Sequence, residues 1–196
     1  VANAMAYSQP YVWDAMTELE SKGVREILLL PMFPQYSTAT TESIFHQVEV
    51  AAAKWQDKPH LEFVSDLFAE QAFIKAWSNH LTKQLNTGSV DHVIFSYHGV
   101  PEKTIKKSDH NNVCEFGRCC SEINDSNRLC YRAQCVQTTE NIVKSLGWED
   151  VSYSVAFQSR FGPLPWLQPY LDEHLKELIA RGDKKVAVIT PSFISD

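Results

Sequence analysis

The chain has 196 residues, 44% of them hydrophobic and 21% charged, with a formal net charge of -6. The acidic balance and the lack of a basic stripe argue against nucleic acid as a partner, and the longest apolar runs, such as Ile27 to Pro31, are far too short to span a bilayer. No basic stretch leads into an apolar one at the start, so no signal peptide is read. A cytoplasmic protein is expected, with peripheral contact to the inner membrane left open.

Strand and helix signals alternate along the chain. Pro10 to Lys22 predicts a helix with Val12, Met16 and Leu19 on one face, closed by Gly23. Glu26 to Phe33 reads as a buried strand ended by Pro31 and Pro34. Thr41 to Trp55 follows as a helix entered through a threonine cap, then His60 to Leu67 as a strand or extended segment, and Phe68 to Leu85 as a long helix. Asn86-Thr87-Gly88-Ser89 is a polar hinge, which places a boundary between a partial N-terminal α/β domain, 1–88, and a partial C-terminal one, 89–196.

Val93-Ile-Phe-Ser-Tyr-His98 is an apolar strand stopped at once by Gly99-Val-Pro101, so His98 is delivered at a strand's carboxyl end. In open α/β sheets that edge is where ligands bind. A lone histidine there can equally be a satisfied strand-end residue. An irregular segment from Glu102 to Cys130 comes next. A helix then carries Cys135, Thr139, Ile142, Val143 and Leu146 on one face and closes at Gly147. Val151 to Gln158 is a strand, Trp166 to Ala180 a helix, and Lys184 to Ile189 a last strand. The alternation predicts α/β architecture with parallel sheets, in two halves facing a cleft. The chain opens on Val1-Ala2-Asn3-Ala4-Met5 and stops at Ser195-Asp196 soon after a strand, which reads as a piece cut at both ends.

Five cysteines crowd into 22 residues as Cys114-x4-Cys119-Cys120-x9-Cys130-x4-Cys135, inside a cysteine-rich insertion covering 108–135. Their odd number and the cytoplasmic setting speak against a disulfide framework. Zinc is one reading, although its usual C-x2-C knuckles are absent; a [2Fe–2S] cluster, which four thiolates would satisfy, is the other. Cys119 and Cys120 are adjacent and splay awkwardly around one iron, and Cys135 has an alternative place packed on its helix.

Several motifs resemble those of ferrochelatases. Pro31-Met-Phe-Pro-Gln-Tyr-Ser-Thr-Ala-Thr-Thr, Phe95-Ser-Tyr-His-Gly-Val-Pro, Tyr131-Arg-Ala-Gln-Cys-Val-Gln-Thr-Thr, Phe157-Gln-Ser-Arg-Phe-Gly-Pro-Leu-Pro-Trp-Leu-Gln-Pro and Pro191-Ser-Phe-Ile-Ser-Asp occur in the family's order along essentially the whole chain. The resemblance implies two chelatase-type, Rossmann-like domains around a porphyrin cleft, both incomplete here, and insertion of Fe2+ into protoporphyrin IX or coproporphyrin. It makes His98 the residue that handles the metal or accepts a pyrrole proton. It sets Tyr7 (with Met5 and Ala6), Tyr36, Ser37, Gln158, Ser159, Arg160 and Trp166 along the macrocycle. It also favours a [2Fe–2S] cluster on four of Cys114, Cys119, Cys120, Cys130 and Cys135, because some bacterial members ligate one from this region. The loop from Ser108 to Leu129 is expected to order only when the cluster is bound.

The chain departs from the family pattern in three places. Glu42 stands where a glycine follows the threonine pair; the leading strand and its glycine loop are missing before Val1; and the histidine's acidic partner is expected a few residues beyond Asp196. The 196-residue chain is therefore expected to be inactive by itself. A non-catalytic piece that binds an iron–sulfur cluster or a tetrapyrrole, and a related cobalt or nickel chelatase, are the alternative readings.

Overall fold

The computed structural model describes residues 1–194; Ser195 and Asp196, and with them the expected position of the acidic partner, lie outside the described residues. In chain order the elements are α1 (Val12–Ser21), β1 (Glu26–Leu29), α2 (Thr41–Ala52), β2 (His60–Phe63), α3 (Gln71–Gln84), β3 (His92–His98), α4 (Glu102–Ser108), α5 (Tyr131–Leu146), β4 (Tyr153–Gln158), α6 (Leu171–Arg181) and β5 (Val186–Ile189). The fold is α/β. β1 and β2 form a two-stranded parallel sheet, and β3 lies between β4 and β5 in a three-stranded parallel one.

β3 is the centre of the larger sheet because both of its faces are apolar. Val93, Phe95 and Tyr97 pack toward Ile142 and Val143 of α5, while Ile94 packs with Ala156 and Leu178 of α6. All four of those β3 side chains are fully buried, each worth about 1.5–3 kcal/mol of transfer free energy. The Tyr97 hydroxyl is satisfied by Thr139 at 2.8 Å. In the smaller sheet Ile27 and Leu29 face Val12, Met16, Val48 and Trp55, and the alternate residue Leu28 is exposed.

Several predicted boundaries move, each for a local reason. β1 stops at Leu29 because Pro31 and Pro34 cannot extend a strand ladder. α2 begins at Thr41, but no side chain caps it; the first turn is closed by main-chain bonds from Glu42 N to Ser37 O and from Ile44 N to Thr40 O. The segment after Pro101 is helical as α4, which carries one buried side chain, Ile105, and so shows no periodic pattern. α6 starts at Leu171 rather than Trp166, since Pro163, Pro165 and Pro169 withhold donors and the stretch pairs its backbone elsewhere. Among the described residues no helix is long and apolar enough to cross a membrane.

Candidate functional site

Parallel strands bring their carboxyl ends to one edge. The register pairs His98 with Gln158 as the last residues of β3 and β4, and β5 runs in the same direction into Pro191–Phe193. Gly99 N–H donates to the Gln158 carbonyl at 2.8 Å, so the chain leaves both strands locked together. Ser159 then turns away at φ 67°, left-handed backbone that a side chain rarely adopts. Trp166 comes back across the same edge: it bridges Pro101, while Leu167 N–H donates to Val100 O at 3.0 Å and Glu102 N–H to Pro165 O at 3.0 Å. The turn has room only because residue 99 is glycine. A Cβ there would lie 3.0 Å from the Gln158 carbonyl oxygen and 3.3 Å from the Trp166 ring.

The His98 imidazole is exposed at this edge. Trp166 and Phe193 are its aromatic neighbours, with ring centroids at 6.4 and 6.3 Å. Its Nδ1 lies 2.7 Å from the Gly99 carbonyl oxygen. A carbonyl can only accept, so Nδ1 carries the proton in this contact, and in the neutral imidazole Nε2 is the nitrogen that keeps a lone pair. The Trp166 indole N–H is buried and has no hydrogen-bond partner among the described residues.

The other expected binding residues divide into two groups. Tyr36 and Ser37 are buried. The Tyr36 main-chain N–H donates to Gln134 Oε1 at 2.7 Å, and Ser37 Oγ accepts from Ala39 N–H at 3.2 Å. Burial, with Glu42 beside it, pushes the Tyr36 phenol up to about 12. By contrast Tyr7 and Met5 are largely exposed. Arg160 stacks its guanidinium 4.0 Å over Tyr170 and reaches Glu173 at 3.4 Å and Asp172 at 3.8 Å, so its charge is matched by the first turn of α6.

Two side chains not singled out in the sequence organise the whole edge. The Tyr131 hydroxyl, from the first residue of α5, donates to the His98 carbonyl at 2.7 Å. One turn on, Gln134 takes the Tyr36 amide and donates to Arg128 O at 2.8 Å. Gln35 completes the frame, donating to Thr138 Oγ1 at 3.1 Å and accepting from Ser192 at 3.0 Å. The loops after β1, β3 and β5 are thus all fastened to α5. Both residues lie inside the Tyr131–Thr139 motif, and that membership was the signal available.

The cysteine loop sits between α4 and α5. Its backbone is held by Asp109, which accepts from Val113 and Cys114 N–H at 3.0 Å each, and by buried Asn127, which donates to Cys119 O and Glu122 O at 2.8 Å each. Four thiols follow one another. Cys119 and Cys120 are 3.7 Å apart; Cys114 adjoins Cys119, and Cys130 adjoins Cys120. Burial and the neighbouring Cys119 and Cys120 push the Cys114 thiol up to about 11. A hydrogen bond from Cys130, with Arg132 nearby, draws Cys120 down to about 5, and the same bond together with burial raises Cys130. Cys135 stands apart, fully buried against Tyr131. Among the described residues no three His, Cys, Asp or Glu side chains converge on one metal-sized point. Four soft sulfur donors are the ligand type of either a tetrahedral zinc ion or an iron–sulfur cluster.

A sequence profile of the ferrochelatase family matches residues 1–196. The chain is 40% identical to a ferrochelatase of Coxiella burnetii over 197 aligned positions, covering 100% of this chain and 54% of that protein. It is 37% identical to a ferrochelatase of Legionella pneumophila over 196, covering 100% of this chain and 57% of that protein. The chain therefore spans a little over half the length of these curated relatives.

Proposed function

The chain belongs to the ferrochelatase family, and from that premise we propose that the protein inserts ferrous iron into a porphyrin, protoporphyrin IX or coproporphyrin, in haem biosynthesis. The observation that carries this reading is the state of His98. Its Nδ1 proton is committed to Gly99 O, so the nitrogen of the neutral, exposed ring left for a substrate is Nε2, beside the Trp166 and Phe193 rings.

Metallation requires that two pyrrole protons leave and that hydrated Fe2+ shed water. A neutral imidazole at the edge can take one pyrrole proton on Nε2, or offer the same lone pair to the incoming iron, which imidazole suits as a borderline ligand. Trp166 and Phe193 supply flat apolar surface for a macrocycle. Gln158 and Ser159 adjoin His98 at the edge, and Tyr36, Ser37 and Tyr7 remain assigned to the macrocycle by the family motifs alone. Arg160 serves here through α6, as the residue that holds the turn in place.

We place residues 1–88 and 89–196 in two partial domains, the second with the cysteine insertion 108–135, in a cytoplasmic protein. Cys114, Cys119, Cys120 and Cys130 would hold a [2Fe–2S] cluster, whose chemistry is to link two chain segments through iron and to carry one electron. Cys135 packs instead.

The test is His98→Ala in the full-length protein, assayed anaerobically with Fe2+ and porphyrin. Loss of a general base is expected to lower the rate by about 10²–10⁴-fold. A variant as fast as the parent would overturn the assignment.

A further inference from the structure

Resting on the reading of Phe193 as flat surface for the macrocycle, we infer that Gln35, from the N-terminal half, is a positioning residue that sets where Phe193 stands beside His98. β5 leaves its ladder at Ile189, the residue that pairs with Phe95 of β3. One turn follows, in which Phe193 N–H closes on Thr190 O at 3.1 Å and Pro191 has no N–H to give. Among the described residues, the hydrogen bond that carries Pro191–Phe193 to another element is Ser192 Oγ–H to Gln35 Oε1, at 3.0 Å and across 157 positions of chain. The next residue is Phe193, its ring centroid 6.3 Å from that of His98.

Gln35 is a stiff anchor. The main chain is tied on either side of it: Pro34 O accepts from Leu67 N–H at 2.8 Å, and Tyr36 N–H donates to Gln134 Oε1 at 2.7 Å. Its side chain is buried and both ends are assigned. Thr138 Oγ1 has one proton, which points at a carbonyl, that of Gln134 at 2.8 Å or that of Phe68 at 3.3 Å. Toward Gln35 the threonine can therefore only accept. Nε2 is then the end 3.1 Å from Thr138, and Oε1 is the end turned to Ser192. A flipped amide would set the Gln35 oxygen against an oxygen with no proton to offer it.

The amide is thus a wedge from the N-terminal half, set between two elements of the C-terminal half, α5 and the turn after β5. Tyr131 of α5, which donates to the His98 carbonyl at 2.7 Å, adjoins Ser192 as well. His98 and Phe193 are therefore both referred to α5, and Gln35 is the spacer on the Phe193 side. Without the amide, Ser192 loses its anchor, and a turn already past the end of its ladder shifts. His98 stays, because the register with β4, the Gly99 bond to Gln158 and the Tyr131 bond hold it independently. The consequence is a change in how the flat substrate is seated, with the proton-accepting group left in place.

The test uses the full-length protein with 4-fluorophenylalanine placed at position 193, its 19F spectrum read without porphyrin or metal. Gln35→Met keeps the length and bulk of the side chain and removes both polar ends. It should move or broaden the Phe193 signal, and raise KM for protoporphyrin roughly 5- to 20-fold with kcat held within about twofold. Ser78→Ala, which also deletes a buried hydroxyl but one bonded within α3, should behave as the parent. A Gln35→Met protein with the parent's 19F spectrum overturns the proposal. Should that variant not fold, Ser192 decides: Ser192→Ala should reproduce the rise in KM, and Ser192→Thr, which keeps the hydroxyl, should restore the parent's value. Equal KM in those two also overturns it. A moved 19F signal with KM unchanged would leave the Gln35 anchor standing and overturn the reading of Phe193 as substrate surface, so the two failures are distinct.

Discussion

The Gly99 main-chain N–H closes on the Gln158 carbonyl at 2.8 Å, joining the carboxyl ends of two parallel strands one residue past His98. The Gly99→Ala variant places a methyl group 3.0 Å from that same oxygen. A strand carbonyl cannot swing aside as a flexible side chain would, so the turn must open. Destabilisation of about 1–3 kcal/mol is expected, together with loss of metal insertion in the full-length protein. Denaturant unfolding beside an activity assay checks both; a variant as stable as the parent would show that the edge is looser than these distances say.

Gln134 performs the corresponding task for the loop after β1. It is fully buried and satisfies Tyr36 N–H and Arg128 O at once. Gln134→Leu keeps the bulk but strands a donor and an acceptor away from water, at an expected cost on the order of 2–4 kcal/mol. The Tyr36 amide should lose hydrogen-exchange protection ahead of the β3 amides. Equal protection loss across both would point to general destabilisation and away from a specific tether.

What could be read from the sequence was what repeats or stops. β3 announced itself through an unbroken apolar run, α5 through helical spacing ended by Gly147, which takes the left-handed backbone of a C-terminal cap, and the strand-end place of His98 through Gly99 and Pro101. α4 leaves no periodic signal because Ile105 is its lone buried side chain. Apolar spacing continues through Trp166 as it would in a helix, whereas the prolines around it leave the backbone to pair with Val100 and Pro101. Tyr131 and Gln134 each act through one hydrogen bond to a residue 33 or 98 positions away. A single long-range polar contact leaves no period, so motif membership marked these residues without saying what they do.

His92 gives the fold a pH dependence. It is buried at the start of β3, bonded to Ser152 at 2.7 Å and Ser154 at 2.8 Å, with the Arg181 guanidinium 3.1 Å from Nδ1. Asp183 and His174 complete its charged surroundings. Burial, then Arg181, lowers its pKa from the ordinary 6.5. A histidine depressed on folding binds fewer protons in the native state than unfolded, so its contribution is complete above about 6.5 and declines as pH falls toward the native value. Melting temperature should therefore drop between about pH 7 and about pH 5, ahead of carboxylate protonation, and His92→Gln should flatten that part of the curve. A variant with the parent's slope in this window would assign the effect to other groups.

The division of the cysteines can be tested without turnover. Cys135 is fully buried beside Tyr131, where burial holds its thiol well above its usual pKa, and it packs in the main core. Cys114, Cys119, Cys120 and Cys130 instead follow one another across the loop between α4 and α5. Cys135→Ala should cost roughly 1 kcal/mol of stability while leaving iron and acid-labile sulfide per chain unchanged after loading. Cys120→Ala and Cys130→Ala should lose both, along with the visible absorption, because Cys135 is fully buried in the core and could replace them only by unwinding the first turn of α5 and breaking the Tyr131 bond to His98. Loading that survives Cys130→Ala, or fails in Cys135→Ala, would mean that α5 yields its first turn to the metal, and the four ligands would have to be reassigned.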